Sequence, residues 1–186
     1  LSHAERAREF GMRRAQVDFD FADVMERVQS VVRAVEPHDS MERYASLGVE
    51  CLQGEAKIVS PWAVEVKTAA GTQTLTTRAI VIAAGARPFV PPIPGAREGV
   101  SAGGVLTSDT VWSLPKVPKR LGIVGGGAIG MEMAQIFQDF GSEVLLLERH
   151  ERLLAEVEPE IAKTLSAVLE NEPRLTIVTN AVTKAI

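Results

Sequence analysis

A single cysteine, Cys51, in 186 residues excludes an internal disulfide and leaves no thiol pair for a metal or for dithiol chemistry. The three histidines, His3, His38 and His150, fall at no spacing that would ligate a metal, and no metal site is expected. Basic charge is also short. Against 24 Asp and Glu stand 20 Lys and Arg, and the net charge of −4 argues against a nucleic-acid surface. No apolar run approaches the roughly 20 residues that a membrane helix requires, so no membrane segment is expected. Residues 1–14 are charged and lack an apolar centre, so no signal peptide is expected and a cytoplasmic setting is the default. The chain opens on Leu1 rather than Met, which points to a fragment or a processed piece.

The hydrophobic content of 46% supports a real core, and the length suits one medium domain or two small ones. Residues 2–14 read as an arginine-rich helix interrupted by Gly11. Residues 21–35 place Phe21, Val24, Met25, Val28, Val31, Val32 and Val35 on one helical face, and Pro37 ends that helix. Residues 49–53 read as a strand, which would make Cys51 a buried, inert thiol. Residues 63–67 and 73–77 alternate as strands around the turn Ala69-Ala70-Gly71-Thr72. Residues 79–84 are continuously apolar, as in a strand covered on both faces. Gly85 and a run of prolines break it, and residues 108–119, with Pro115 and Pro118, read as a connection between domains. A helix over 160–169 and a strand over 175–178 complete the chain, without internal repeats.

The most telling stretch is Gly125-Gly126-Gly127-Ala128-Ile129-Gly130. Before it, Leu121, Ile123 and Val124 read as a buried strand. After it, Ile129, Met133, Ile136, Phe137 and Phe140 recur at helical spacing, and Gly141 is a helix stop. Residues 144–147 form a second buried strand, which Glu148 ends. Strand, glycine turn, helix, strand and acid, in that order, make a dinucleotide-binding unit. Gly125 can take the backbone angles of a tight turn, Gly127 lets a pyrophosphate approach the main chain, and Gly130 lets the helix pack close to the sheet. The helix N-terminus offers unpaired N–H groups and a partial positive charge. Glu148 stands where a carboxylate accepts hydrogen bonds from an adenosine ribose. A glycine turn in an α/β unit that binds nothing is the alternative.

This unit holds about three strands before Ile186, and the region before it has no opening strand of its own. Parallel sheets need neighbours and cover on both faces. Each half therefore reads as truncated, and a parent chain that continues on both sides is expected.

Residues 77–95, TRAIVIAAGARPFVPPIPG, together with RLGIVGGGAIGMEMAQIFQDFGSEVLLLE, resemble the flavoprotein disulfide reductases: lipoamide dehydrogenase, glutathione reductase and mercuric reductase. LGVECLQGEAKIVSPWAVEV is similar to the part of their FAD domain before the Ala-Thr-Gly strand end, and VMERVQSVVRAVEPHDSMERY is most like the mercuric reductase and lipoamide dehydrogenase branch. The resemblance implies an α/β fold of FAD- and NAD(P)-binding Rossmann-like domains, in three layers, with a parallel sheet and a small β-meander. Residues 1–118 would be the latter part of the FAD domain and 119–186 the first part of the inserted NAD(P) domain. The family's N-terminal glycine motif, its Cys-x-x-x-x-Cys pair and its C-terminal His-Glu pair are absent, so no catalytic residue is expected in this chain. The parent would pass hydride from NAD(P)H to FAD and on to a disulfide-type or metal acceptor, and would be a homodimer.

By the same resemblance Ala84, Gly85 and Ala86 stand where the family backbone approaches the flavin, with Ala84 in place of the usual threonine, and Ala56 stands where it meets the FAD adenine. Glu132 matches a glutamate near the nicotinamide, or is an ordinary surface residue. Glu148, Arg149 and His150 decide between cofactors. A carboxylate at Glu148 favours NAD by repelling a 2′-phosphate, whereas Arg149-His150 resembles the pair by which glutathione reductase grips that phosphate. NAD is expected, with NADP as the alternative. Two further readings stay open: an NADH oxidase or ferredoxin-reductase-like flavoprotein without redox cysteines, and a nucleotide-binding module without turnover.

Overall fold

The computed structural model describes residues 2–186; Leu1 lies outside them. In chain order the elements are α1 (Ser2–Glu5), a 3-10 turn (Ala7–Phe10), α2 (Phe21–Val35), a second 3-10 turn (Glu36–Asp39) and α3 (Met41–Ser46). There follow β1 (Glu55–Ser60), β2 (Ala63–Thr68), β3 (Gly71–Thr76), α4 (Ala96–Ser101) and a 3-10 turn (Val111–Ser113). The chain ends with β4 (Arg120–Val124), α5 (Ala128–Asp139), β5 (Glu143–Leu147), α6 (Pro159–Leu169) and β6 (Leu175–Val178). Contacts divide these into two units, residues 1–28 with 88–186, and residues 29–87.

The first unit is built on a parallel sheet in the order β4-β5-β6. Arg120 to Val124 pair with Glu143 to Leu147, and Val144 to Leu147 pair with Leu175 to Val178. β5 is central and turns Val144 and Leu146 into the core. Met131, Ala134 and Phe137 of α5 pack there, with Ala162 and Leu169 of α6, Leu153, Leu154 and Leu175. Phe21, at the start of α2, closes the cluster and meets Phe140 edge-on at 5.3 Å. Pro159 occupies the first turn of α6, where its missing N–H costs nothing. Phe140 caps α5, and Gly141 at φ +95° releases the chain into β5. Buried polar groups are paired: Ser142 Oγ donates to Pro118 O at 2.6 Å, and Gln138 Nε2 donates to Asp139 Oδ1 at 2.9 Å and Glu172 Oε2 at 3.0 Å.

The second unit holds the rest of α2, α3 and an antiparallel meander, β1-β2-β3. Ala56 faces Val66, and Val66 faces Gln73. Ser40 caps α3, its hydroxyl accepting from the Arg43 amide at 3.1 Å.

Several expectations need correction. The helix expected over 2–14 is broken into α1 and a 3-10 turn, which Gly11 ends at φ +75°. Residues 49–53 form no strand, and Cys51 is half-buried in irregular chain. The pairing begins only at Glu55, after Gly54, where a Cβ would stand 2.4 Å from Lys67 O. Residues 79–84 also form no strand: Val81 is 88% and Ile82 75% exposed. A ladder needs a neighbour, and among the described residues no strand pairs with them. β4 lies at the sheet edge, so Val124 is exposed and Leu121 and Ile123 only half-buried. Along α2 only Phe21 is buried; Val31, Val32 and Val35 are exposed. The inward face of α5 is Met131, Ala134, Phe137 and Gln138; of the predicted residues Phe137 is buried and Met133 and Phe140 pack against the core, whereas Ile129 and Ile136 are exposed.

Candidate functional site

The end of β4 runs into the glycine loop, and each glycine there answers a different constraint. Gly125 has φ +113°, a region that side chains rarely enter, and its N–H donates to Leu147 O at 2.8 Å. Gly130 is forced by proximity: a Cβ would stand 2.0 Å from Gly125 O and 3.5 Å from Ile123 Cγ2. At Gly126 a Cβ would meet Leu153 Cδ2 at 2.5 Å and the Glu148 side chain at 3.1 Å. Gly127 has φ −78°, and nothing lies within 4 Å of where its Cβ would be. It opens onto free space at the N-terminus of α5.

That terminus carries no side-chain cap. Among the described residues no acceptor takes the amides of Gly127, Ala128, Ile129 or Gly130, whereas the Met131 amide already bonds to Gly127 O at 3.0 Å. Four free N–H groups and the positive end of a 12-residue helix therefore face the space beside Gly127. Ile129 and Glu132 are exposed on the same first turns.

Glu148, the residue after β5, is 7% exposed and is fixed by its neighbours. Its N–H donates to Val178 O at 2.9 Å, and its O accepts from the Ala181 N–H at 2.9 Å. Oε2 accepts from the Gly126 N–H at 2.6 Å; Oε1 accepts from the His150 N–H at 2.8 Å and pairs with His150 Nδ1 at 2.6 Å. Burial pushes the carboxyl up, but the His150 and Gly126 amides and the His150 ring outweigh it and hold Glu148 below its ordinary value of 4.5. Glu148 is thus an anion at pH 7 that ties β5 to the glycine loop.

The segment after it, which the sequence did not single out, closes on the loop. Leu154 takes φ +50°, and its N–H donates to Gly126 O at 2.9 Å. Arg152 holds that bend by donating to Leu154 O at 2.8 Å, Ala155 O at 2.6 Å and Val157 O at 3.0 Å. Its only sequence signal was an arginine before two leucines. Arg149 is exposed and offers Nε to His150 Nε2 at 3.3 Å.

The structure therefore gathers Gly125 to Gly130, Glu148, Arg149 and His150 around one helix end. Ala56, Ala84, Gly85 and Ala86 belong to the other unit. Ala56 is exposed on β1, and Ala84 to Ala86 are exposed in irregular chain, with Gly85 at φ +67° and open space where its Cβ would be. Among the described residues no hydrogen bond joins Ala56 to this segment. A cleft of the first unit lies elsewhere, among Arg6, Asp139, Lys163 and Glu172, and holds no predicted site residue. No cluster of His, Cys, Asp or Glu among the described residues could hold a metal, and no helix among them is long and apolar enough to cross a membrane.

A glycine turn, an open helix N-terminus and an acid at the end of the next parallel strand define the Rossmann-like fold of dinucleotide-binding proteins. Residues 8–186 match the sequence profile of the family described as pyridine nucleotide-disulphide oxidoreductase, and the chain belongs to that family. It is 35% identical over 182 residues to a mercuric reductase of Bacillus cereus, covering 97% of this chain and 27% of the relative. It is 40% identical over 142 residues to a dihydrolipoyl dehydrogenase of Mycoplasma pneumoniae, covering 76% and 30%. Among solved structures, the HOCl-induced flavoprotein disulfide reductase RclA of Escherichia coli matches with a TM-score of 0.69 at 30% identity, over 88% of this chain and 36% of that one. The chain thus spans about a third of the length of these relatives. Membership implies a flavin and a pyridine nucleotide as the family's cofactors and leaves the choice between NAD and NADP open.

Proposed function

We propose that residues 119–186 form the first part of the pyridine-nucleotide domain, and residues 1–118 the latter part of the FAD domain, of a flavoprotein disulfide reductase. The observation that carries this reading is the set of four free amides at the start of α5, opened by Gly127 and bordered by the Glu148 anion. A pyrophosphate would be held by these amides and the helix end. An adenosine ribose would meet Glu148, and the nicotinamide would lie towards Glu132. The bound nucleotide supplies hydride chemistry. This chain binds and orients it, and its buried loop bonds keep the cradle rigid.

The flavin side is less built. Ala56, Ala84, Gly85 and Ala86 offer backbone contacts alone, and the described residues around them supply neither a second glycine loop nor a helix end for its phosphates. FAD is read as belonging to the parent, and no step is derived through it. The parent is further read as a cytoplasmic homodimer that passes hydride from NADH through FAD to a disulfide-type or metal acceptor.

NAD is the proposed nucleotide, because Glu148 is buried, charged and next to the ribose position. Titrating the chain with NADH and NADPH tests this. NADH should bind more tightly, and Glu148→Ser should erode the difference. An unchanged preference in that variant would sink the NAD assignment.

A further inference from the structure

The dipeptide Arg149-His150 looks like a clamp for a 2′-phosphate, yet its ring is committed elsewhere. His150 bonds to Oε1 of Glu148 twice, by its amide at 2.8 Å and by Nδ1 at 2.6 Å. A carboxylate oxygen only accepts, so Nδ1 carries the ring proton, a tautomer assigned from the partners. The other nitrogen, Nε2, accepts from Arg149 Nε at 3.3 Å. With Nδ1 given to Glu148 and Nε2 accepting from Arg149, the ring has no N–H turned to a phosphate oxygen.

The carboxylate is equally committed. Of its roughly four acceptor sites, the Gly126 amide fills one on Oε2 and His150 fills two on Oε1. One site remains, on Oε2, suited to a single hydroxyl donor and hostile to a dianion. The backbone holds both residues in place: the Asn180 amide donates to His150 O and the Ala181 amide to Glu148 O, each at 2.9 Å. His150 is also the more accessible partner, its side chain 44% exposed against 9% for Glu148.

We propose that His150 is a positioning residue that sets nucleotide choice. By donating Nδ1–H to Glu148 it fixes the carboxylate across the glycine loop and withholds its own ring from a 2′-phosphate, so that a ribose with a free 2′-hydroxyl is selected. This rests on the pyridine-nucleotide reading above, and it turns the Arg149-His150 pair from an argument for NADP into part of the selection against it.

The test compares the full 186-residue chain with His150→Ala and His150→Asn, whose Nδ2 stands where Nδ1 stands in histidine and can donate to Glu148. Dissociation constants for NADH and NADPH are measured by calorimetry, and hydrogen exchange of the Gly126 amide is followed by NMR. His150→Ala should lower the NADH-over-NADPH preference about tenfold, the factor at the weak end of what one charge-assisted bond carries, and should speed Gly126 exchange. His150→Asn should restore most of both. An unchanged preference in His150→Ala, with NADH still bound by the wild type, overturns this inference alone. A wild-type chain that binds neither nucleotide overturns the reading of the site, and this inference with it.

Discussion

Replacing Glu148 with Gln keeps the shape of the side chain but removes its charge and one of its two accepting oxygens. In the wild type Oε2 serves the buried Gly126 amide at 2.6 Å, and Oε1 serves both donors of His150. A carboxamide has two possible orientations. Turning its NH2 towards Gly126 would set donor against donor in a place closed to water. The cheaper orientation gives the oxygen to Gly126 and the NH2 to the His150 ring, which changes tautomer to accept it. The His150 amide then loses its partner. Bonds to a charged acceptor contribute about 1.5–3 kcal/mol and neutral ones about 0.5–1.5. Discharging the Gly126 bond and orphaning the His150 amide should therefore cost about 2 kcal/mol.

The Gly126 amide reads this cost directly, because its exchange reports the opening of the loop. At neutral pH it should exchange about thirtyfold faster in Glu148→Gln than in the wild type. The pH dependence has a definite sign. The Glu148 carboxyl titrates below its ordinary 4.5 in the folded chain, so its contribution is full above that value and is lost as pH falls through the lowered one. The gap between wild type and variant should be full at neutrality and close in acid below the ordinary carboxylate range. Equal exchange at neutral pH, or a gap that survives unchanged in acid, would refute the reasoning.

Two alanine substitutions in the same loop should separate fold from function. In Gly130→Ala the new Cβ would stand 2.0 Å from Gly125 O; the strain should cost about 3 kcal/mol, seen as a lower midpoint in urea unfolding followed by circular dichroism. Gly127→Ala should leave that midpoint nearly unchanged, because φ is −78° and nothing lies within 4 Å, while NADH affinity measured by calorimetry falls as the methyl group occupies the phosphate approach.

Elements defined by local signals were legible in the sequence. Residues 21–35 form α2 as their periodicity and Pro37 imply, and the turn at Ala69-Ala70 joins two paired strands. The sequence of β4, glycine loop, α5, β5 and Glu148 was legible because two of its glycines are forced, by a positive φ at Gly125 and by contact at Gly130. Residues 79–84 were misread because their apolar character states a preference for burial, whereas a strand requires ladder partners that lie far away in sequence. The commitment of Glu148 was hidden for a related reason. Spacing brings a carboxylate to the loop, but its grip on His150 depends on the chain returning at Asn180 and Ala181 to hold both backbones.

The misjudged face of α5 shows how the loop governs its helix. Counting apolar residues put Ile129 and Ile136 inward, yet Ile129 is 61% exposed. What orients the helix is the contact of Gly130 with Gly125 O and Ile123. Once Gly130 faces β4, helical spacing carries Ala134, then Phe137 and Gln138, to the same side, and these are buried. Small residues at 130 and 134 let the helix axis come close, and the large isoleucines are turned away because there is no room for them. That same contact fixes the direction of the first turn and hence of the free amides of Gly127 to Gly130. One glycine therefore sets both how the core is packed and where the free amides point, so a change at Gly130 should not be able to alter one without the other.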